Sequence, residues 1–408
     1  MSGVLTALLC GQALAATYVV KPGDTLYSLA RSVGLTVAQL QALNQLTGTD
    51  LKVGQTLELP AGPAQPPAPP APTETLPPPM PGTARPAVQV SRPGCCANVQ
   101  WTADSTQLIV LDRPAGGEPG LYRIPADGSA PAGFLDLSPA LLSPDGAFAL
   151  QPRSASSATA VRFSDGARAA VPTSGRDAAW SPQGALAWST YGTADRDDWI
   201  PLTVFVADPF VNGSVAAPRR LPTVYGGRLV GWLNGTTVLL TGRLTRTDPR
   251  RSLVSVNIQG GPPQVLAEGQ MFSGVRVSPD GSRVVYRVTL DMPGRNGMFV
   301  VGTEDRRVTP LPLFGSARWQ DPGHLLMVPF EPGQPSQRLV QLDVESGEVR
   351  PLLTLQDRIA HDDWQVAPDG LRVAYLSQTS RALLVLPLPP TLPPIPIPAD
   401  PGPAPEAP

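Results

Sequence analysis

The residues suited to acid–base chemistry are few in this chain, which has two histidines, His324 and His361. His361 is followed directly by Asp362 and Asp363, and an imidazole beside a carboxylate is a pairing used in general acid–base catalysis. We interpret this stretch as a solvated turn, because no nucleophile elbow, H-E-x-x-H motif or phosphate-binding loop accompanies it. The sequence therefore predicts that the protein is not an enzyme and has no catalytic residue.

Metal ligation is not predicted either. Asp195, Asp197 and Asp198 resemble a cation-binding loop slightly, but the glycine and the distant glutamate of such a loop are missing, so we interpret them as a solvated loop with weak calcium binding as the alternative. Cys95 and Cys96 are adjacent, so they form a disulfide with each other or remain thiols. We favour two small packing side chains, and we predict no metal site and no cofactor.

The overall charge excludes one class of partner. The chain has 33 acidic and 31 basic residues for a formal net charge of −2, and only 16% of its residues are charged. Because binding to nucleic acid requires a basic surface, no nucleic-acid partner is expected. No run of eighteen apolar residues is present, so no transmembrane segment is expected.

A turn followed by an alternating strand recurs along the chain. In VSPDGSRVVYRV (277–288) the turn Ser-Pro-Asp-Gly is followed by a stretch in which every second residue is apolar. This is the pattern of a half-buried strand. Similar turns begin at Ser143, Ser181 and Ala367, and degenerate copies follow Trp101, Trp232 and Trp319. The large apolar residues before the turns lie 38 to 52 residues apart: Trp101, Leu142, Trp180, Trp232, Val277, Trp319 and Val366.

A repeat of this length predicts a β-propeller built of four-stranded blades over residues 87–388. Seven turns favour seven blades, with six as the alternative. A second turn in the repeats, such as Asp127-Gly128, joins the two outer strands. Residues 87–91 supply the outer strand that the last repeat lacks, which closes the ring. We expect the tryptophan before a turn to pack against the neighbouring blade.

Residues 17–60 predict a small unit of strand, helix, helix and strand. Asp24 is placed to cap a first helix that ends at Gly34, and Thr36 and Gln39 form a capping box for a second helix. Final strand residues Leu57 and Leu59 follow the turn at Val53-Gly54-Gln55. The forty-four residues can form a small independent core.

This stretch resembles a LysM module, through Tyr18-x-Val20-x-x-Gly23-Asp24-Thr25-Leu26 at its start and Leu51-x-x-Gly54-Gln55-x-Leu57-x-Leu59-Pro60 at its end. The resemblance implies binding of N-acetylglucosamine-containing glycan, either peptidoglycan or chitin, in a groove between two loops. Carried over to this chain, the glycan-binding residues are Gly23, Asp24, Thr25, Leu26, Leu51, Lys52 and Val53.

The remaining segments complete a multidomain organisation. Residues 1–16 have a short apolar run and a small-x-small pattern at 13–15, which predict a secretory signal peptide. Residues 61–86 form a proline-rich linker, and residues 389–408 form a disordered proline-rich tail. We therefore expect an exported protein, in the periplasm, the cell wall or the extracellular space.

The Trp-Ser-Pro-Asp-Gly type of repeat resembles the WD40-like repeats of TolB-type propellers, which implies an envelope protein that interacts with other proteins. The expected function is a non-enzymatic cell-envelope protein that binds peptidoglycan through its LysM module and presents the propeller to an unknown envelope protein. The alternative is a wall-targeted enzyme with a site in the propeller channel.

Overall fold

The computed structural model describes residues 15–20, 37–46, 48, 51–52, 54–60, 86–95, 97–136, 141–144, 146–154, 156–173, 177–192, 200–210, 218–291, 295–334, 336–355 and 357–388. The chain forms two compact units, Met1–Thr75 and Leu76–Pro408. Each is built around its own buried apolar residues, and they are described separately below.

The first unit contains β1 (Ala15–Val19), α1 (Val37–Leu43) and β2 (Thr56–Pro60). β1 and β2 pair antiparallel with Tyr18 opposite Leu57. The buried side chains of Val20, Leu40 and Leu57 lie in the core of the unit. The expected second helix and final strand are present, whereas the expected first helix lies outside the described residues.

Asn44 ties the end of α1 to β2. Its side-chain Nδ2 donates to the carbonyls of Leu40 (3.0 Å) and Glu58 (2.8 Å), and its Oδ1 accepts the Glu58 N–H. An asparagine can satisfy helix-end carbonyls and a strand edge together, because its amide both donates and accepts. This side chain therefore fixes the helix against the strand pair.

The second unit is all β, and its chain-consecutive strands form antiparallel sheets. The strands of its first half are β3 (Val88–Gln89), β4 (Ala97–Trp101), β5 (Gln107–Asp112), β6 (Gly120–Pro125), β7 (Gly133–Asp136), β8 (Leu141–Leu142), β9 (Phe148–Pro152), β10 (Ala158–Arg162), β11 (Arg168–Val171), β12 (Ala178–Trp180), β13 (Leu186–Tyr191), β14 (Pro201–Ala207), β15 (Arg219–Arg220) and β16 (Val224–Asn234). The strands of its second half are β17 (Thr237–Arg243), β18 (Arg251–Asn257), β19 (Gln264–Gly269), β20 (Met271–Val277), β21 (Arg283–Thr289), β22 (Gly297–Gly302), β23 (Val308–Pro310), β24 (Gly315–Trp319), β25 (His324–Pro329), β26 (Arg338–Asp343), β27 (Val349–Thr354), β28 (Ile359–Val366), β29 (Arg372–Ser377) and β30 (Leu383–Pro387).

The number of separate blades differs from the expectation. Five four-stranded sheets are present among the described strands: β4–β7, β8–β11, β20–β23, β24–β27, and β28–β30 with β3. The eight strands from β12 to β19 form one larger sheet, because β14 pairs with β16 through Pro201↔Tyr225 and Leu202↔Val224. The prediction of a propeller is confirmed, but the prediction of seven or six separate blades is wrong, since five stand as separate sheets.

The repeated turns form as the sequence predicts. In the turn after β20 the Gly281 N–H donates to the Ser278 carbonyl (2.9 Å), and the equivalent bond joins Gly370 to Ala367 (2.8 Å). Ser278 Oγ also accepts the Arg283 N–H at the start of the next strand (2.9 Å). Gly281 has φ +75°, and a Cβ there would lie 2.1 Å from the Leu233 carbonyl of β16. The turn glycine therefore provides both a left-handed conformation and a close approach to the preceding blade.

Each tryptophan before a turn donates its indole N–H to a backbone carbonyl of another repeat. Trp180 donates to the Leu141 carbonyl and Trp319 to the Arg276 carbonyl, at 3.1 and 3.0 Å, and both acceptors lie in the preceding sheet. Trp101 donates to Gln365 of the last sheet at 3.3 Å, and Trp232 donates to Ala179 within the same eight-stranded sheet at 2.9 Å. Because a buried indole N–H needs an acceptor, these bonds help to position four of the repeats on their neighbours.

The ring closes through β3, as predicted. β3 pairs antiparallel with β30, with Val88 opposite Val385, and the Val90 N–H donates to the Leu383 carbonyl at 3.0 Å. β3 is the outermost strand of the last blade, which covers the edge that β30 would otherwise leave unpaired. After β30 the Leu388 N–H donates to the Leu371 carbonyl beside the last turn (2.8 Å). The propeller chain therefore begins and ends on the face that carries the repeated turns.

Candidate functional site

Two of the expected glycan-binding residues are described in the first unit. Leu51 is half-buried and Lys52 is exposed, whereas Gly23, Asp24, Thr25, Leu26 and Val53 lie outside the described residues. The Lys52 N–H donates to Gln55 Oε1 (3.0 Å), and the Gln55 N–H donates to the Lys52 carbonyl (2.9 Å). These bonds hold the loop before β2 and leave the exposed Lys52 side chain available to a ligand.

The second unit has a polar cavity of about 640 Å³ at its inner strands. It lies between β4, β20, β24 and β28, and it includes all three residues of the His-Asp-Asp stretch. The polar residues that line it on these strands are Asn98, Arg276, Arg318, His361, Asp362, Asp363 and Gln365.

Irregular backbone on β28 and β4 positions the cavity residues. The pairing of β28 with β29 shifts register between Ile359 and Trp364, and His361 and Asp362 have φ of 54° and 58°. On β4 the register shifts between Ala97 and Gln100, where Asn98 has φ of 56°. Bulges re-aim side chains, and here they interrupt the regular alternation on both strands. The residues with positive φ at the two bulges are asparagine, histidine and aspartate, the types that adopt this conformation most readily after glycine.

Arg318 supports the cavity wall. Its Nε donates to the Trp364 carbonyl (3.1 Å), its Nη1 to Ser316 Oγ (3.1 Å), and its Nη2 to the Asp362 carbonyl (3.1 Å). Its guanidinium lies 4.8 Å from the centre of the Trp364 ring, and burial lowers its pKa. With so many bonds to the protein, Arg318 holds the bulge of β28 in place and is not free for a ligand.

His361 does not form an acid–base couple with either neighbouring aspartate. Within the described part of the chain the bonded partner of His361 is Arg381, whose Nη1 lies 2.9 Å from His361 Nε2. Asp362 accepts the Trp364 indole N–H at 3.0 Å. Burial raises the pKa of Asp363. The backbone N–H groups of Val99 and Asn98 donate hydrogen bonds to it, which lower the pKa, but the effect of burial is larger. The three residues share the cavity but bond to different partners.

Arg276 is a cavity residue that sequence reasoning missed. Its side chain is exposed to solvent inside the cavity, but protein atoms surround it closely. This burial lowers the pKa of Arg276, and the charge of Asp362 acts to raise it. Its Nη1 donates to the Val275 carbonyl at 3.2 Å. Arg276 and Arg318 each stand directly before the large apolar residue at a turn, so aligning the repeats on Val277 and Trp319 could have identified the pair.

The remaining residues considered for acid–base or metal chemistry are His324, two cysteines and three aspartates. His324 Nδ1 lies 2.9 Å from Asp321 Oδ1, and its Nε2 lies 3.5 Å from Asp343 Oδ2, so the ring sits between two carboxylates. Cys95 is buried and disulfide-bonded, and Cys96 lies outside the described residues, as do Asp195, Asp197 and Asp198. Among the residues described, no group of three or more His, Cys, Asp or Glu could hold a metal ion, and no helix could cross a membrane.

Comparison with known proteins identifies the first unit. Residues 18–60 match the model of the LysM domain family. A segment of 42 residues is 60% identical to part of the N-acetylmuramoyl-L-alanine amidase XlyA of Bacillus subtilis (strain 168). The match covers 10% of this chain and 14% of the amidase, so the chain spans only a small part of the length of this relative.

Comparison of structures supports the propeller and corrects one prediction. An oligogalacturonate lyase in complex with manganese superposes with a TM-score of 0.54 at 12% identity, covering 75% of this chain and 96% of the lyase. The propeller domain of the Trilobed protease from Pyrococcus furiosus gives 0.51 at 13% identity, covering 73% and 96%. We predicted that the protein is not an enzyme, and this is contradicted because similar propellers belong to enzymes. The likeness shows the fold alone and identifies no reaction for this chain.

Proposed function

We propose that this protein is exported to the cell envelope and binds the N-acetylglucosamine-containing glycan of peptidoglycan through residues 17–60. The observation that carries the proposal is the match of residues 18–60 to the LysM domain, with 60% identity to a segment of a wall amidase. The proposed glycan contacts are Gly23, Asp24, Thr25 and Leu26 in one loop, and 51–53 in the other. Export through the leader at 1–16 and location in the periplasm or wall belong to the same proposal.

The proposed role of the propeller is to hold a second ligand or an envelope protein near the wall. Support comes from the polar cavity at the inner strands, where Arg276 and Asp363 are partly desolvated.

Titration of the full chain with chitotetraose by calorimetry tests the glycan proposal. A single module contacts few sugar atoms, so we expect a dissociation constant on the order of micromolar or weaker. Replacing Lys52→Ala removes an exposed donor of the loop, and we expect binding to weaken about 2- to 10-fold, the range of one hydrogen bond. Glu58→Ala is the control, since Glu58 is also exposed but lies on β2 away from the expected loops. Absence of heat with both chitotetraose and soluble muropeptides would contradict the proposal.

A second candidate function is a wall-directed enzyme that acts in the cavity. It is favoured by one observation: a carboxyl with a raised pKa, Asp363, shares the cavity with His361 and Arg276. A carboxyl with a raised pKa keeps its proton to a higher pH than an ordinary carboxyl, as a proton donor requires. Incubation of the purified protein with peptidoglycan, followed by chromatography of released fragments, tests it. Release that Asp363→Asn abolishes would support an enzyme, and no release under any condition would reject it.

A further inference from the structure

A groove of about 350 Å³ opens beside the polar cavity, and we call it the arginine groove. It runs between the blade of β20–β23 and the blade of β24–β27, on the face where the inner strands begin. Its side chains form two groups, a cluster of charges toward the inner strands and a pair of phenylalanines at the other end. The residues that define it are Arg276, Arg287, Arg318, Asp362, Phe314 and Phe330.

The groove has more positive than negative charge. Arg318 Nη2 lies 3.5 Å from Asp362 Oδ2, so these two groups compensate each other. Arg276 and Arg287 form no ion pair with any carboxylate in the described ranges. Three guanidinium groups thus face one carboxylate, which leaves two positive charges in excess.

The two uncompensated arginines have donors to spare. Arg287 is half-buried, and its Nε donates to Ser273 Oγ at 2.9 Å while its guanidinium lies 5.4 Å from the centre of the Phe314 ring. Arg276 makes its bond to the Val275 carbonyl through Nη1. A partly desolvated guanidinium is stabilised by a carboxylate, which accepts two parallel N–H bonds from it.

The outer end of the groove is apolar and exposed. Phe314 and Phe330 are 42% and 69% exposed, and their rings meet edge to face with centroids 6.4 Å apart. Exposed aromatic pairs of this kind are unfavourable in water and contact apolar groups of a ligand. The groove therefore suits a ligand that carries a carboxylate at one end and a small apolar group close to it.

We propose that the arginine groove binds a carboxylate of the peptide stem of peptidoglycan, with Arg276 and Arg287 as the carboxylate ligands. The identity of the ligand rests on the proposed function, because the LysM module directs the chain to a polymer whose stem peptides end in alanine carboxylates. The methyl group next to that carboxylate matches the phenylalanine end of the groove. Neither arginine belongs to the glycan-binding loops.

The test is calorimetric titration of the full chain with a stem tetrapeptide bearing free carboxylates, and with the same peptide fully amidated. We expect the free peptide to bind and the amidated peptide to bind at least tenfold more weakly, since charge-assisted hydrogen bonds are lost. Arg276→Gln and Arg287→Gln should each weaken binding of the free peptide about tenfold or more. Arg123→Gln is the control, because Arg123 is exposed on β6 of another blade, and it should change nothing.

Several outcomes overturn the proposal. Equal binding of the two peptides would show that no carboxylate is recognised, and tighter binding of trigalacturonic acid than of the peptide would identify an acidic sugar as the ligand. Unchanged binding in both arginine variants, with melting temperatures like that of the wild type, would also contradict it. If Arg276→Gln unfolds, Arg276→Lys and Arg287→Gln carry the test. Chitotetraose is titrated in parallel: intact glycan binding without peptide binding rejects this inference alone.

Discussion

The same residue type can meet different structural requirements at different positions of this protein, as two turn glycines show. Gly281 and Gly166 both have left-handed φ, +75° and +72°. A Cβ at Gly281 would lie 2.1 Å from the Leu233 carbonyl, whereas nothing lies within 4 Å of one at Gly166. The same residue type therefore serves a turn alone in one place and a turn with a contact between blades in the other.

The two glycines provide a matched prediction. We expect Gly166→Ala to lower the free energy of unfolding by about 1–2 kcal/mol, the cost of a left-handed alanine. Gly281→Ala adds a backbone clash, so its cost should reach about 3 kcal/mol or more. Chemical denaturation of the two variants measures both values. Equal losses of stability would mean that the blades move apart at the contact between Gly281 and Leu233 at little cost in free energy.

Asp363 predicts a pH-dependent stability with a definite sign. Burial raises its pKa in the folded state, so its contribution to stability is fully present below the ordinary carboxyl pKa of 3.8 and is lost as the pH rises through the folded-state pKa. Asp363→Asn should therefore raise the melting temperature at pH 7, and this gain should shrink as the pH falls through the folded-state pKa and disappear below about 3.8.

Asp357 serves as the control of opposite sign. Burial acts to raise its pKa, but hydrogen bonds from Ser377 and Thr379 outweigh this, and the pKa is lowered. Its stabilisation is present above the ordinary carboxyl pKa and is lost as the pH falls, so Asp357→Asn should lower the melting temperature at pH 7. A higher melting temperature with Asp357→Asn, or a lower one with Asp363→Asn, would contradict the direction of the pKa shift at that residue.

At the scale of the element, the hydrogen bond of each repeat tryptophan links one repeat to another. Trp232 is 9% exposed, and its N–H donates to the Ala179 carbonyl at 2.9 Å. Trp188 is 1% exposed and stacks on Phe205, and the structure gives its N–H no acceptor within the described ranges. The two side chains are therefore alike in burial and differ in hydrogen bonding.

This difference predicts unequal effects of the same substitution. Trp232→Phe removes ring volume and leaves a carbonyl without its donor, so we expect it to cost about 1–3 kcal/mol more than Trp188→Phe. Urea denaturation of both variants gives the comparison. A larger loss of stability in Trp188→Phe would mean that the packing of Trp188 contributes more than the hydrogen bond of Trp232 to Ala179.

The sequence predicts regular elements here better than irregular ones. The Ser-Pro-Asp-Gly turns, the strands that follow them and the closing strand at Val88 all carry local signals, because turn chemistry and period-two alternation depend on neighbouring residues. The bulges at Asn98 and at His361-Asp362 carry only a weak signal, because Asn, His and Asp adopt positive φ readily but also occur in ordinary turns and loops. The candidate site was therefore found only in part: His361 and its neighbours stood out, while Arg276 did not.

At the scale of the whole molecule, the ring depends on a strand from the other end of the propeller chain. β3 covers the edge of β30 by pairing at Val88 and Gln89, and Ser91 Oγ accepts the Leu383 N–H at 2.8 Å. The sequence predicted this closure but not the join of β14 to β16 that merges two sheets, because the Gly226-Gly227 pair beside Tyr225 lies inside β16, where Gly226 has φ of 58°.

Deletion of residues 87–90 tests the closure. The deletion leaves the β30 edge unpaired, so several hydrogen bonds are lost, and we expect the melting temperature of the propeller to fall by about 5 °C or more. Deletion of residues 66–69 in the proline-rich segment removes the same number of residues outside the described strands, and it should leave the transition unchanged. A similar fall in both variants would argue against a stabilising role for β3.

The position of β3 also determines how the propeller would respond to mechanical load. The chain that leads back to the LysM domain continues directly from β3, so tension on that chain would act first on β3. Because β3 is short and is the outermost strand of its sheet, we expect it to separate before the longer strands that follow it. If the proposed glycan binding holds the LysM domain to the wall, the ring would open under load at the pairing of β3 with β30 and would form again when the load is removed.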